Sequence, residues 1–282
     1  MAQTINTNLL SINAQRNTAA SQMSLSASMQ RLSSGLRVNS AKDDAAGLAI
    51  TERMNSQVRG RNVAVRNAND GISLAQTAEG AAGKIGDALQ RMRELAVQSA
   101  NGTNNAGDRD NLLTEFSQLQ AEVSRLTSGT TFNASKLLDG TGGNGSGTFT
   151  FQVGAGTSTT DTIDVSLDDL ATAVDTPVAA LTIAGADATS ATAAITALDT
   201  AIDLVTTARA NFGSVQNRFE SVIANLQVSS ENLTSARSRI VDADYAVETA
   251  NMSRAQILQQ AGNAMIAQAN QQPQQVLALL RG

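Results

Sequence analysis

The stretch LDTAIDLVTTARANFGSVQNRFESVIANLQVSSENLTSARSRI, residues 198–240, decides how this chain is read. Leu198, Ile202, Val205, Phe212, Val215, Phe219, Val222, Leu226, Leu233 and Ile240 keep a regular beat along it. These steps of threes, fours and sevens put a narrow apolar stripe on one long helix. A stripe that narrow makes a seam, not a globular core. The other end of the chain keeps the same rhythm. Ile5, Leu9, Ile12, Ala19 and Met23 begin it, and Leu25, Met29, Leu32 and Leu36 continue it one register over. The middle carries no such stripe. A chain with an unfinished seam at each end meets either its own other end or a neighbour.

Working outward, residues 1–33 read as one helix, broken by Ser33, Ser34 and Gly35. Residues 34–44 read as a connector, and the acids Asp43 and Asp44 suit the start of the next helix. Capping is the stronger reading of that pair over cation binding. A run from about 45 to 100 follows, with Val65, Ala68, Ile72, Ala75, Ala78, Ala82, Ile85, Leu89, Met92 and Ala96 as its stripe. Unbroken, it would be roughly 80 Å long at about 1.5 Å per residue. Gly80, Gly83 and Gly86 either weaken it or allow a close helix approach. The segment 101–107 reads as a turn. A helix over about 108–127 carries Leu112, Phe116, Leu119, Val123 and Leu126 on a heptad seam. Alternation over 148–153 and 162–167 predicts two short strands forming a hairpin. Residues 168–190, rich in Ala and Thr, resist assignment. A long helix starts near 191, Asp242-Ala-Asp244 marks a second connector, and residues 247–280 are helical, with Pro273 a place for a kink.

The fold class expected is therefore mainly α: long antiparallel helical hairpins that pair the N- and C-terminal halves, with a small β-hairpin in the middle. The order is mirrored about that middle, which would bring both connectors to one level. Periodicity alone leaves a monomeric four-helix bundle and an assembling subunit both open.

Composition narrows the function. The chain has 282 residues, one Tyr, six Phe, no Trp, no Cys and no His. No disulfide forms without cysteine, and thiolate or imidazole metal sites and Ser-His-Asp or Cys-His catalysis are excluded. No Gly-rich Lys loop for phosphate is present, so no cofactor is expected. The net charge of −5 argues against nucleic acid. No long apolar run predicts membrane insertion. Residues 1–42 hold Arg16, Arg31, Arg37 and Lys42 and no acid, and residues 249–282 hold Arg254 and Arg281 and no acid. Between Lys136 and Arg209 there are nine Asp and no basic residue. Basic ends and an acidic middle suggest different surroundings. The N-terminus lacks the layout of a secretory signal peptide. Ser and Thr at 141–160 read as a solvated loop, with surface glycosylation as the alternative. Tyr245 reads as a packing residue.

Five blocks carry a resemblance. Leu32-Ser-Ser-Gly-Leu-Arg-Val-Asn-Ser-Ala-Lys-Asp-Asp-Ala-Ala-Gly-Leu-Ala-Ile50 and Leu89-Gln-Arg-Met-Arg-Glu-Leu-Ala-Val-Gln-Ser-Ala-Asn101 lie in the first half. Ser235-Ala-Arg-Ser-Arg-Ile-Val-Asp-Ala-Asp-Tyr245 and Asn251-Met-Ser-Arg-Ala-Gln-Ile-Leu-Gln-Gln-Ala-Gly262 lie in the second, followed by Val276-Leu-Ala-Leu-Leu-Arg281. In this order they resemble bacterial flagellins over about 1–140 and 190–282. The short middle resembles a minimal member without the outer variable domains.

The resemblance implies a structural subunit, not an enzyme, that polymerises into the hollow helical filament used for swimming. It implies residues 1–44 as an inner-tube helix with connector and 45–140 as outer-shell helices. Residues 141–190 would be the hairpin and short variable segment, 191–241 the returning outer-shell helix, and 242–282 the second connector with the C-terminal inner-tube helix. Inner-tube contacts are then expected from Ile5, Leu9, Ile12, Met23, Leu25, Met29, Leu32, Leu258, Met265, Val276 and Leu279. These ends are expected to order only on assembly, because an isolated pair buries too little to offset its ordering entropy. Implied partners are neighbouring subunits, filament cap and hook-junction proteins, and an export chaperone at the C-terminal region. Export without a cleaved signal peptide and an extracellular location follow. An animal flagellin-sensing Toll-like receptor would contact Arg91, Leu95 and Glu115, with 91 and 95 one turn apart on a helix face. A cytosolic sensor would read Leu277, Leu279, Leu280 and Arg281. Within the same organelle a hook-junction protein is the rival reading, and a soluble signalling bundle is the rival from another class.

Overall fold

The computed structural model describes residues 7–281, and side chains over 7–271 apart from Asn144. In chain order the elements are α1 Leu9–Ser34, α2 Ala45–Ser99, α3 Ala106–Gly129, β1 Thr131–Phe132, β2 Ser135–Lys136, α4 Gly142–Gly145, β3 Thr148–Gln152, β4 Thr162–Ser166, α5 Thr176–Ala179, α6 Thr189–Val241 and α7 Tyr245–Arg281. The mainly α reading holds, and α2, α3, α6 and α7 match their expected spans to within a few residues, whereas α1 begins at Leu9 and residues 1–6 of its expected span lie outside the described residues. The chain divides into two compact units. One joins residues up to Ser56 with those from Asn232, and the other is Gln57–Glu231.

The helix starts follow from local chemistry. The Asn8 side chain accepts from Ser11 N and caps α1. Asp44 Oδ1 accepts from Gly47 N at 2.8 Å at the start of α2. Its neighbour Asp43 accepts from the Ser40 hydroxyl and backbone and from Asn39 N, and these bonds hold its carboxyl below the usual range. The acid pair is thus a cap and a turn. Asn105 and Asp108 form a reciprocal capping box on α3. Gly35 closes α1 at φ +71°, with its N–H donating to Arg31 O.

In the unit Gln57–Glu231, α2, α3 and α6 share one core. Its largest fully buried side chains include Phe116, Phe212, Phe219, Leu89 and Met92. α2 stays continuous through Gly80, Gly83 and Gly86. Phe219 meets Phe151 of β3 edge-on, with ring centroids 5.4 Å apart. β3 and β4 pair antiparallel, Phe149 opposite Val165 and Phe151 opposite Ile163. β1 and β2 form a second hairpin that the sequence reading lacked. Its turn residues Asn133 and Ala134 both have positive φ, at 46° and 64°. Ala in that position hides the turn from composition rules, which look for Gly there.

Residues 168–190, unassigned from sequence, belong to this core. Leu170, Val174, Val178 and Ile183 are buried beneath a π-helical turn at Ala171–Asp175 and the short α5. Three acids of the middle have side-chain partners. Asp199 pairs with Arg93, Asp139 with Lys136, and Asp175 accepts from the Ser124 hydroxyl.

In the other unit, α1 and α7 run antiparallel. Asn8 Nδ2 donates to Ala269 O at 2.7 Å near one end, and Arg31 pairs with Glu248 near the other. The connectors meet as expected. Leu36 and Asp242 form an antiparallel bridge, Arg37 N donates to Val241 O at 2.6 Å, and Ala243 N donates to Gly35 O at 3.0 Å.

Candidate assembly surfaces

The α1–α7 seam is built from small and polar residues, not from the apolar stripe. Its buried members are Ser11, Thr18 and Ser28 on α1 and Glu248, Ala255 and Ala269 on α7. Gly262 faces Thr18 so closely that a Cβ there would lie 2.4 Å from Thr18 Oγ1. Such residues let two helix backbones approach. Each buried hydroxyl has a partner. Ser11 Oγ donates to Asn270 Oδ1 at 2.9 Å, Thr18 Oγ1 to Ala14 O at 2.9 Å, and Ser28 Oγ to Glu248 Oε2 at 2.9 Å. Glu248 is only 6% exposed. Its carboxyl is held below the usual range, first by the Arg31 hydrogen bond and also by Ser28, while burial opposes the shift.

The apolar stripe therefore points away from the seam. Leu9 is 64% exposed and Met23 69%, with Ile12 and Met29 also open. On α7, Leu258 and Met265 are exposed, beside Ile257. Leu25 and Leu32 are half-buried. The expectation that the ends pair is met, but the stripe is not what pairs them. Ile5 lies outside the described residues, as do the side chains of Val276, Leu277, Leu279, Leu280 and Arg281. Tyr245 is 67% exposed and packs no core, contrary to its sequence reading.

The apolar accounting differs sharply between the units. In the unit of α1 and α7 the buried apolar residues are Val38, Val241, Ala255 and Ala269, while Leu9, Leu10, Ile12, Met23, Met29, Ile257, Leu258 and Met265 stand open. In Gln57–Glu231 the large exposed apolar residues are Val63, Val97, Leu204 and Val228, set against a full core. Two helices that expose most of their large apolar side chains present a surface awaiting cover.

A second surface lies on α2 and α3. Arg91 Nη2 lies 2.8 Å from Glu115 Oε1, and Arg91 Nη1 lies 2.8 Å from Glu94 Oε2. The three charged groups are exposed, and the two carboxylates raise the Arg91 pKa. Leu95 does not join them. It is 1% exposed and packs in the core, so the apolar anchor expected beside Arg91 faces inward. One turn along α2 carries the side chain from the surface to the buried stripe.

Arg109 had no prominence in the sequence. It is buried, and its guanidinium donates to Ser99 O, Asn101 O, Gly185 O and Ala186 O. It thereby ties the α2–α3 turn to the segment before α6. Backbone carbonyls leave no mark in the sequence, so no pattern announces it. Among the described residues no cluster of acids suited to a metal ion occurs, and no helix is long and apolar enough to cross a membrane.

Comparison with known proteins gives a consistent result. Residues 5–142 match the family model described as the bacterial flagellin N-terminal helical region. Residues 195–280 match the bacterial flagellin C-terminal helical region. The flagellin of Halalkalibacterium halodurans is 49% identical over 277 residues, covering 98% of this chain and 99% of that protein. The flagellin of Bacillus subtilis is 43% identical over 302 residues, covering 98% and 99%. Among solved structures, the crystal structure of Bacillus cereus flagellin is similar at a TM-score of 0.50 and 34% identity, covering 61% of this chain and 94% of that one.

Proposed function

The chain belongs to the bacterial flagellin family, and on that premise we propose that the exposed faces of α1 and α7 are the contacts through which its subunits stack. The coarse function comes with the family. The chain is a structural subunit, not an enzyme, that self-polymerises into the extracellular flagellar filament used for motility. Its near-full-length match to a relative of similar size agrees with a short member lacking a large variable domain.

The observation that carries the proposal is the inversion at the α1–α7 seam. Small polar residues face the partner helix, and large apolar ones face out. Leu9, Ile12, Met23, Met29, Leu258 and Met265 supply the inner-tube contacts, with Leu25 and Leu32 at the margins. Ile5, Val276 and Leu279 extend the set. Head-to-tail contacts whose rotation does not close a ring propagate as an open helix. The seam buries little apolar area, and that supports ordering of the two helices on assembly. The inner-tube segments are then 1–44 and 242–282, the outer-shell segments 45–140 and 191–241, with 141–190 as hairpin and linking segment. Loosely held ends suit passage through an export channel without a cleaved signal, with a chaperone covering the C-terminal region. The same ends suit contacts with cap and hook-junction proteins.

Seeded filament growth tests the reading. Ile12→Asp and Leu258→Asp change exposed residues, so both variants keep the core of Gln57–Glu231. Elongation from seeds, followed by negative-stain microscopy, is expected to stop in both. Wild-type elongation in either variant would overturn the assignment of these faces.

A second reading rests on the exposed Arg91–Glu115 pair. Its planar guanidinium and adjacent carboxylates suit a polar recognition patch in the free subunit. It is the patch through which an animal flagellin-sensing Toll-like receptor would engage the protein. Leu95 would support that patch from beneath. The tail residues Leu277, Leu279, Leu280 and Arg281 are proposed for the cytosolic sensor.

A further inference from the structure

The methionines divide by place. Met92, in the core of Gln57–Glu231, is fully buried. Met54 and Met252 are half-buried. The exposed ones among the described residues are Met23, Met29 and Met265, and all three lie on α1 or α7. The chain has no cysteine, so the thioethers are its most readily oxidised sulfur groups. The soft groups of this subunit are therefore concentrated on the faces assigned to assembly.

We propose that Met23, Met29 and Met265 form an oxidation-sensitive gate on subunit addition, with peroxide as the reagent class. The inference rests on the assembly reading of α1 and α7. The thioether sulfur attacks one oxygen of hydrogen peroxide, and the O–O bond breaks. That oxygen stays on sulfur as a sulfoxide, and the other leaves as water. Methionine loses two electrons and peroxide gains them. The product is a polar, chiral group in place of a flexible apolar one.

The consequence follows from burial. In the free subunit the three thioethers face water and carry a sulfoxide at no cost. On stacking, each sulfoxide must enter an apolar contact with its S–O dipole unpaired. Oxidised subunits are then rejected, while subunits already stacked keep their thioethers covered. The damage is reversible, because methionine sulfoxide reductases return the thioether. The gate acts on unassembled protein and spares the finished filament.

The test compares free subunits and finished filaments exposed to the same dose of hydrogen peroxide, with sulfoxide at each methionine measured by peptide mass spectrometry. Free subunits are expected to oxidise at 23, 29 and 265, and filaments to be protected there. Treated subunits added to seeds are expected to elongate slower by about tenfold or more, the effect of burying one or more unpaired dipoles. Sulfoxide reductase treatment should restore the rate, and incorporated subunits should be depleted in sulfoxide at the three positions relative to the unincorporated pool. The triple variant M23L/M29L/M265L has no thioether at these positions, so whatever its own rate of elongation, that rate should be the same before and after peroxide. Equal oxidation of the three residues in filaments and free subunits would overturn the assembly reading itself. Protection in filaments, with oxidised subunits incorporating at the untreated rate, would overturn the gate alone. Loss of elongation by the treated triple variant would also overturn it.

Discussion

Ser28 and Glu248 are 220 residues apart in sequence, yet the Ser28 hydroxyl donates to Glu248 Oε2 at 2.9 Å, and Arg31 Nη1 donates to Oε1 of the same carboxylate at 2.9 Å. This is the one buried carboxylate in the α1–α7 seam among the described residues, and α1 itself carries no acid.

A pH dependence follows from it. The Arg31 hydrogen bond, reinforced by Ser28, lowers the Glu248 pKa below its ordinary 4.5. A carboxyl whose pKa is depressed on folding stabilises the folded state above its unfolded pKa. That stabilisation is lost as pH falls through the lower, folded value. The protection of α1 and α7 amides, taken relative to the intrinsic exchange rate at each pH, should therefore fall once pH drops below about 4.5. Glu248→Gln keeps an acceptor for Ser28 but has no charge to lose, so its exchange should start faster and lack that acid slope. An unchanged slope in the variant would show that some other group titrates.

The exposed Arg91–Glu115 pair separates surface from core. Exposed ion pairs contribute little to stability. Arg91→Ala and Glu115→Ala should leave the thermal midpoint nearly unchanged while lowering receptor signalling by the free subunit. Leu95→Ala removes a fully buried side chain and should cost about 2–5 kcal/mol in denaturant titration. Any signalling loss in that variant would follow from unfolding. If Arg91→Ala signals normally, the recognition patch lies elsewhere.

Two helix glycines on α2 should respond with opposite signs to the same substitution. A Cβ at Gly71 would lie 2.6 Å from Phe219 Cζ, in a ring fixed by the core and by Phe151. Gly71→Ala should destabilise by about 1–3 kcal/mol through overpacking. At Gly80 a Cβ meets nothing within 4 Å. Gly80→Ala should stabilise the free subunit by up to about 1 kcal/mol through helix propensity. Chemical denaturation of both variants checks the pair.

These glycines also mark where the sequence stops being legible. The stripes at 65–96, 112–126 and 198–226 foretold the helices and much of the shared core, because burial repeats at helical spacing. The connectors were legible through Gly35, Asp44 and Asp244, whose chemistry is local. Leu170, Val174 and Val178 step by fours, but the Ala and Thr between them masked a stripe only three residues long. The Asn133-Ala134 turn was masked by the absence of Gly. What each terminal stripe meets is illegible for a different reason. Apolar periodicity says which face of a helix is buried in the end, but not against what. Here Leu9, Ile12, Met23 and Met265 lie on the conspicuous face, whereas Ser11, Thr18 and Ser28 make the contact within the chain. Leu95 was misplaced because it was read together with Arg91, although its own burial follows the α2 stripe.

Gly262 gives the sharpest test of that seam. Helix propensity alone predicts that Gly262→Ala stabilises α7 by about 1 kcal/mol. The new Cβ, however, would lie 2.4 Å from Thr18 Oγ1 and 3.4 Å from Thr18 Cβ. The hydroxyl is anchored to Ala14 O at 2.9 Å, so it does not swing aside without giving up that bond. Gly262→Ala should therefore separate the helices, quicken amide exchange in α1 and α7, and slow seeded elongation. Thr18→Ala removes the obstructing oxygen and frees no buried partner that needs a donor, because Ala14 O keeps its place in the helix. Alone it should change little. Combined with Gly262→Ala it should restore both exchange protection and elongation, leaving two Ala across a seam already made of small residues. The diagnostic quantity is the coupling between the two substitutions, which a shared contact makes large. Additive effects would mean that Thr18 and Gly262 do not meet in the assembled protein, and that the polar seam belongs to the free chain only.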